Sequence, residues 1–98
     1  MTKSQLAQIA IATTCQEMSK FLQEKNESYG NSAYDPVRFF SKCDPIEQIN
    51  VRIDDKLSRM AHGNSYGEDV EKDLLGYLIL KLSYKPYLKL IDEQSSDS

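Results

Sequence analysis

The residues best suited to chemistry lie close together in one stretch, residues 51–59, with the sequence VRIDDKLSR. Arg52, Lys56 and Arg59 recur at intervals that place them along one edge of an α-helix. Such a row can clamp phosphate oxygens, with arginine contributing its bidentate guanidinium group. The alternative is intrahelical pairing with Asp55, because residues three or four apart on a helix are neighbours.

Carboxylates form a second candidate group. Asp54 or Asp55 in this stretch, together with Asp69 and Asp73 farther along the chain, can supply the oxygen ligands that Mg²⁺ prefers. A short linker between two antiparallel helices would bring them near one another. The alternative is that Asp69 and Asp73 lie at a helix N-terminus, where acids stabilise the helix dipole.

A third candidate is the loop of residues 25–32, KNESYGNS. It combines a cation, amides, hydroxyls and an aromatic ring, so its backbone N–H groups can hold a phosphate while Tyr29 stacks on a base. Tyr34, just beyond it, is a second candidate for stacking. The alternative is a well-capped turn between helices in which Tyr29 packs on the bundle.

The composition excludes several classes of function. A net charge of −3 and a pI near 5.1 argue against duplex nucleic acid as a partner, because phosphate contacts need a basic surface. No apolar run reaches the roughly 18 residues of a membrane span, and the N-terminus has no secretory pattern. A lone His62 permits no Ser/His/Asp or Cys/His nucleophile. We therefore expect a cytoplasmic protein that contacts neither duplex nucleic acid nor membrane.

Helix signals place these candidates on a few elements. Thr2 or Ser4 can cap a first helix that runs to about Lys25. Asp35-Pro36 predicts a short helix to about Lys42, and Asp44-Pro45 predicts a central helix to about His62. Gly63 is suited to its C-terminal cap.

The last helix is predicted to begin near Glu68, and Pro86 to kink or end it. Its apolar residues extend beyond one stripe, which is typical of a central bundle member or an oligomer contact. On the central helix, the predicted apolar stripe consists of Ile46, Ile49, Ile53, Leu57 and Met60. We predict an all-α fold, a small bundle of three main helices plus one short helix. Residues 1–93 form a single domain in this interpretation, 94–98 a disordered tail, and a homo-oligomer is expected.

The order KNESYGNS, VRIDDKLSR, EDVEKDLLGYLIL resembles the nucleotide modification associated domain 1 family, small proteins frequent in bacteriophages. The resemblance covers roughly residues 25–80. That family is itself similar to the all-α, MazG-like nucleoside triphosphate pyrophosphatases, in which acids of an ExxE and a later ExxD motif hold Mg²⁺ against nucleotide phosphates. The family's pattern falls on these positions: Lys25, Asn26, Tyr29, Gly30, Arg52, Asp55, Lys56, Arg59, Glu68, Asp69, Asp73 and Tyr77.

The chain departs from the pyrophosphatases in its acids. Val70 stands three positions before Asp73, and the central helix has no ExxE. Nucleotide binding is therefore better supported than hydrolysis. We expect a phage-type nucleotide-binding protein in the host cytoplasm, acting in nucleotide metabolism or sequestering a nucleotide signal. The alternatives are a pyrophosphohydrolase dependent on Mg²⁺, with metal ligands Asp55, Asp69 and Asp73, and a helical interaction module without a ligand.

Overall fold

A computed structural model of the protein describes residues 1–36, 40–63 and 69–96. Within these ranges the secondary structure consists of three α-helices: α1 (Lys3–Ser28), α2 (Pro45–His62) and α3 (Val70–Ser96). The all-α class is thus confirmed. None of the described helices has the length and apolarity needed to cross a membrane. The chain divides into two compact units, Met1–Ser32 and Ala33–Ser98.

In the first unit, α1 begins with a reciprocal cap. The Thr2 hydroxyl accepts a hydrogen bond from the Gln5 backbone N–H at 3.1 Å, and the Gln5 side chain accepts one from Thr2 N–H at 2.8 Å. This capping box satisfies two N–H groups that have no partner within the helix. Met18 is buried in α1, whereas Ile9 and Ile11 are exposed.

In the second unit, α2 begins and ends where its sequence signals predict. The Asp44 carboxylate accepts a hydrogen bond from Ile46 N–H at 2.8 Å, and Pro45 occupies the first turn. Gly63 ends the helix in the left-handed conformation with φ 69°, which glycine adopts without a Cβ clash. Both signals act within a few residues, so local chemistry alone sets these boundaries.

The buried face of α2 differs from the predicted stripe. Ile49 and Lys56 are buried and Ile53 is half-buried, while Leu57 and Met60 are exposed. Positions 49, 53 and 56 follow the helical repeat, so the face is rotated toward Lys56. The prediction was wrong at Leu57 and Met60 because the ion pair with Asp73 of α3 allows Lys56 to occupy the buried face.

At its start, α3 is capped by Asp69, whose carboxylate accepts a hydrogen bond from Lys72 N–H at 3.0 Å. Glu68, where the helix was predicted to begin, lies outside the described residues. Pro86 lies inside the helix although it was predicted to kink or end it. Pro86 and Leu82 are both exposed, so water can reach the Leu82 carbonyl that loses its usual N–H donor. Residues 94–96, expected in a disordered tail, continue α3.

The helices α2 and α3 follow one another in the chain and pack against each other as a helical hairpin. An ion pair between Lys56 of α2 and Asp73, in the first turn of α3, joins them. The hairpin is uneven, since α2 has 18 residues and α3 has 27. Every described side chain after Tyr87 is exposed, so the last part of α3 extends beyond α2.

The segment before α2 was predicted to hold a short helix. Val37, Arg38 and Phe39 lie outside the described residues, and residues 40–44 are not helical. Tyr34 anchors the beginning of this segment, because its hydroxyl donates a hydrogen bond to the Leu80 carbonyl of α3 at 2.7 Å. Tyr34 is therefore fixed to α3 through its side chain.

Candidate functional site

The exposed part of the predicted phosphate site lies on α2. Arg52 and Asp55 are exposed, and Arg59 Nε lies 3.2 Å from Asp55 Oδ2 in an i,i+4 ion pair. The Arg59 and Asp55 side chains are 37% and 52% exposed, so water screens the pair and it contributes little to stability. This arrangement presents two guanidinium groups to solvent, one of them beside a carboxylate.

Lys56 has a different environment from the two arginines. Its ammonium lies 3.3 Å from Asp73 Oδ2, and the two side chains are 11% and 25% exposed. A buried ammonium needs a partner because removing a charge from water is costly. The pair therefore joins α2 to α3, and Lys56 does not share the exposed edge with Arg52 that the sequence predicts.

The candidate loop residues belong to the first unit, where they end α1. Gly30 N–H donates to the Glu27 carbonyl at 3.4 Å, and Asn31 N–H donates to the Asn26 carbonyl at 3.0 Å. With Gly30 at φ 61°, this is a Schellman motif, the hydrogen-bonded end common to many helices. The end of α1 thus gives a structural role to the Asn26 carbonyl, to Tyr29 at the cap and to Gly30.

Backbone N–H groups in this loop already have acceptors. Tyr29 N–H donates to the Lys25 carbonyl at 2.9 Å, and Ser32 N–H donates to the Tyr29 carbonyl at 3.3 Å. In this conformation the loop offers a ligand its side chains rather than its amides. Tyr29 is exposed, and the Lys25 ammonium lies 4.6 Å from the centre of the Phe21 ring, a cation–π contact.

The three predicted metal ligands each make a different interaction. Asp55 pairs with Arg59, Asp73 pairs with Lys56, and Asp69 caps α3. No group of three or more His, Cys, Asp or Glu side chains suited to a metal occurs within residues 1–36, 40–63 and 69–96. Each of these carboxylates is thus engaged by a different partner within the chain.

One cluster was not predicted from the sequence, and it consists of three tyrosines. The Tyr34 ring stacks on Tyr87 with centroids 4.6 Å apart and lies 5.4 Å from Tyr84. Burial raises the pKa of the Tyr34 hydroxyl, a hydrogen bond with Ser83 lowers it, and the neighbouring Tyr87 raises it again. Tyr34, predicted to stack on a base, instead stacks on its own chain. The spacing of Tyr84 and Tyr87 along one helix face was the available signal.

The comparisons leave this chain without a family assignment: no known family model matches it, and neither a curated protein nor a solved structure matches it significantly.

Proposed function

We propose that the protein binds the phosphates of a nucleotide through Arg52 and Arg59 of α2, without a metal ion. The observation that carries the proposal is Arg52, an exposed guanidinium on the turn next to the Asp55–Arg59 pair. No ion pair of Arg52 occurs among the residues described. Arginine forks match phosphate oxygens in two parallel hydrogen bonds, so the edge suits an anion with several oxygens.

The other candidate residues have smaller roles in this binding mode. Lys56 stays with Asp73, because separating them would leave a carboxylate on the helix interface without its cation. Lys25 and Tyr29 are exposed in the first unit and remain candidates for ligand contacts through their side chains. A phage-type protein of this kind serves nucleotide metabolism or sequesters a nucleotide signal, as the family resemblance implies.

A nucleotide panel tests the proposal directly. Mono-, tri- and cyclic nucleotides are titrated into the protein in the presence of EDTA, and the heat of binding is measured. Arg52→Ala should weaken the best ligand at least about tenfold, since hydrogen bonds to charged groups contribute about 1.5–3 kcal/mol. Lys81→Ala removes an exposed cation of α3 and serves as the matched control. Equal affinity of Arg52→Ala and the native protein, or no ligand in the panel, would refute the proposal.

The alternative of a pyrophosphohydrolase predicts turnover rather than binding alone. Nucleoside triphosphates incubated with the protein and Mg²⁺ would then release pyrophosphate, and Asp55→Asn would abolish the release. The interactions of Asp55, Asp69 and Asp73 within the chain make this alternative the weaker one.

A third alternative, a helical interaction module without a ligand, draws on a separate observation. Leu75, Leu78 and Leu82 of α3 are exposed, and such a stripe favours contact with another helix. This alternative is compatible with nucleotide binding on α2, because the two surfaces lie on different helices.

A further inference from the structure

An exposed stripe of α3 has the spacing of a coiled-coil seam. Its members, all exposed, are Glu71, Leu75, Leu78, Leu82, Lys85 and Lys89. They alternate in steps of four and three residues, the repeat that keeps one seam of a helix facing a partner helix. The leucines are 41%, 41% and 78% exposed in order along the chain. This seam of six residues has leucines in its middle and charged residues at its ends.

The stripe lies away from the packed face of the hairpin. On that face Val70 and Gly76 are buried, and Tyr77, Leu80 and Tyr84 are half-buried. The stripe thus stays uncovered while α3 packs on α2. Its leucines leave apolar surface in water, which favours a second helix on this side.

The order of charges along the stripe favours an antiparallel copy of the same helix. When two α3 helices cross in opposite directions at the level of Leu80, Leu78 of each lies opposite Leu82 of the other. Glu71 then lies opposite Lys89 at both ends, and Leu75 lies opposite the aliphatic stem of Lys85. In this alignment, each position that is followed by a step of four residues lies opposite a position that is followed by a step of three. Antiparallel coiled coils require this pairing.

A parallel copy fits poorly by the same test. Each residue would face its own equivalent, so Glu71 would meet Glu71, and Lys85 and Lys89 would each meet another lysine. Like charges across such a seam repel one another. Only the antiparallel alignment combines leucine contacts with opposite charges at both ends.

From this complementarity we infer that the exposed stripe of α3 is a self-association surface on which a second copy docks antiparallel. The inference is independent of nucleotide binding, because Arg52 and Arg59 lie on α2. The seam from Glu71 to Lys89 is about 27 Å long at 1.5 Å per residue. One helix pair is smaller than a standard interface of about 800 Å² per partner, so we expect a reversible dimer that dissociates on dilution. Pro86 lies beside the seam rather than in it.

Sedimentation equilibrium over a wide range of concentrations tests the inference on the full chain. The native protein should show a monomer–dimer equilibrium, and Leu82→Glu should weaken dimerisation at least about tenfold because it places a charge at the centre of the seam. Leu90→Glu is the matched control, since Leu90 is 64% exposed on the same helix but lies outside the seam. Circular dichroism verifies that each variant is folded.

Charge reversal tests the direction of the seam. Glu71→Lys alone and Lys89→Glu alone should each weaken the dimer about three- to tenfold, because each places like charges together at both ends. The double variant restores opposite charges and should recover the native dissociation constant. A protein that stays monomeric at about 1 mM, a dimer equally sensitive to Leu90→Glu, or a double variant without recovery would each overturn the inference.

Discussion

Lys56 and Arg59 lie three residues apart on α2, and their ion pairs differ in exposure to solvent. Lys56 is buried beside the half-buried Asp73, whereas Arg59 is half-buried beside the exposed Asp55. Two cations in one charged stretch therefore differ: Lys56 lies at the helix interface, and Arg59 lies closer to solvent. Such a division decides which residue a ligand can reach.

This difference predicts unequal effects on stability. Lys56→Ala leaves the partly exposed Asp73 carboxylate at the helix interface without its partner. We expect a loss of about 1–3 kcal/mol, below the full cost for a completely buried pair. Arg59→Ala should cost at most about 1 kcal/mol, as for other exposed pairs. Urea unfolding followed by circular dichroism measures both, and equal losses would contradict the assignment.

A substitution of Asp55 distinguishes phosphate binding without a metal ion from binding that uses Mg²⁺. If the edge binds phosphate without metal, Asp55→Asn removes a negative charge beside Arg52 and Arg59 and should tighten nucleotide binding about three- to tenfold. If Asp55 instead holds Mg²⁺, the same substitution should weaken binding in the presence of that metal. Calorimetric titrations with EDTA and with Mg²⁺ decide between the two outcomes.

Gly30 illustrates how a residue of a family pattern can have a purely structural reason. A Cβ at this position would meet nothing within 4 Å, but the backbone has φ 61°. Gly30→Ala should therefore cost about 1 kcal/mol through backbone strain alone, and Gly30→Asn should cost less because asparagine tolerates this conformation. Chemical unfolding of the two variants gives the comparison. A loss of nucleotide affinity without a loss of stability would assign Gly30 to a site instead.

At the scale of elements, the sequence predicted what local chemistry controls. The bounds of α2 follow from Asp44-Pro45 and Gly63, which act within a turn of the helix. The burial of Lys56 depends on Asp73 of another helix, and the stacking of Tyr34 depends on Tyr87. Both contacts join residues far apart in the chain, so patterns within one segment do not contain them.

Contacts between residues far apart in the chain also explain why α3 continues through Pro86. Proline removes one helical hydrogen bond and is unfavourable inside a helix by about 3 kcal/mol. The helix nevertheless continues on both sides, with Tyr84 and Tyr87 in the cluster with Tyr34. Packing around the proline thus outweighs its local preference, which a scan for helix breakers does not register.

Tyr34 connects this packing to pH. Its pKa is raised above the ordinary value of about 10, so the folded state retains a proton that the unfolded state loses at lower pH. The stabilisation is complete below pH 10 and decreases as the pH rises from there through the raised pKa. Tyr34→Phe should remove this decrease, although it also loses the hydrogen bond to Leu80. Urea unfolding between about pH 8 and pH 11 measures the slope; identical slopes for the two proteins would contradict the prediction.

At the scale of the whole molecule, the described chain has a small core. Its buried apolar residues are Met18, Ile49 and Val70, and no described side chain is less than 2% exposed. Small chains bury a low fraction of their surface and often gain stability from association. The exposed leucines of α3 are where such a gain is available.

The stability of this protein should therefore depend on its concentration. A dimer that forms only from folded chains shifts the unfolding equilibrium by mass action, so the melting temperature should rise by a few degrees for each hundredfold increase in concentration. Leu82→Glu should melt at one temperature throughout, close to that of the dilute native protein, because the substitution affects an exposed position. Leu90→Glu should retain the native dependence. Scanning calorimetry at several concentrations provides the comparison. If the melting temperature of the native protein does not change with concentration, association contributes nothing to its stability and the prediction is wrong.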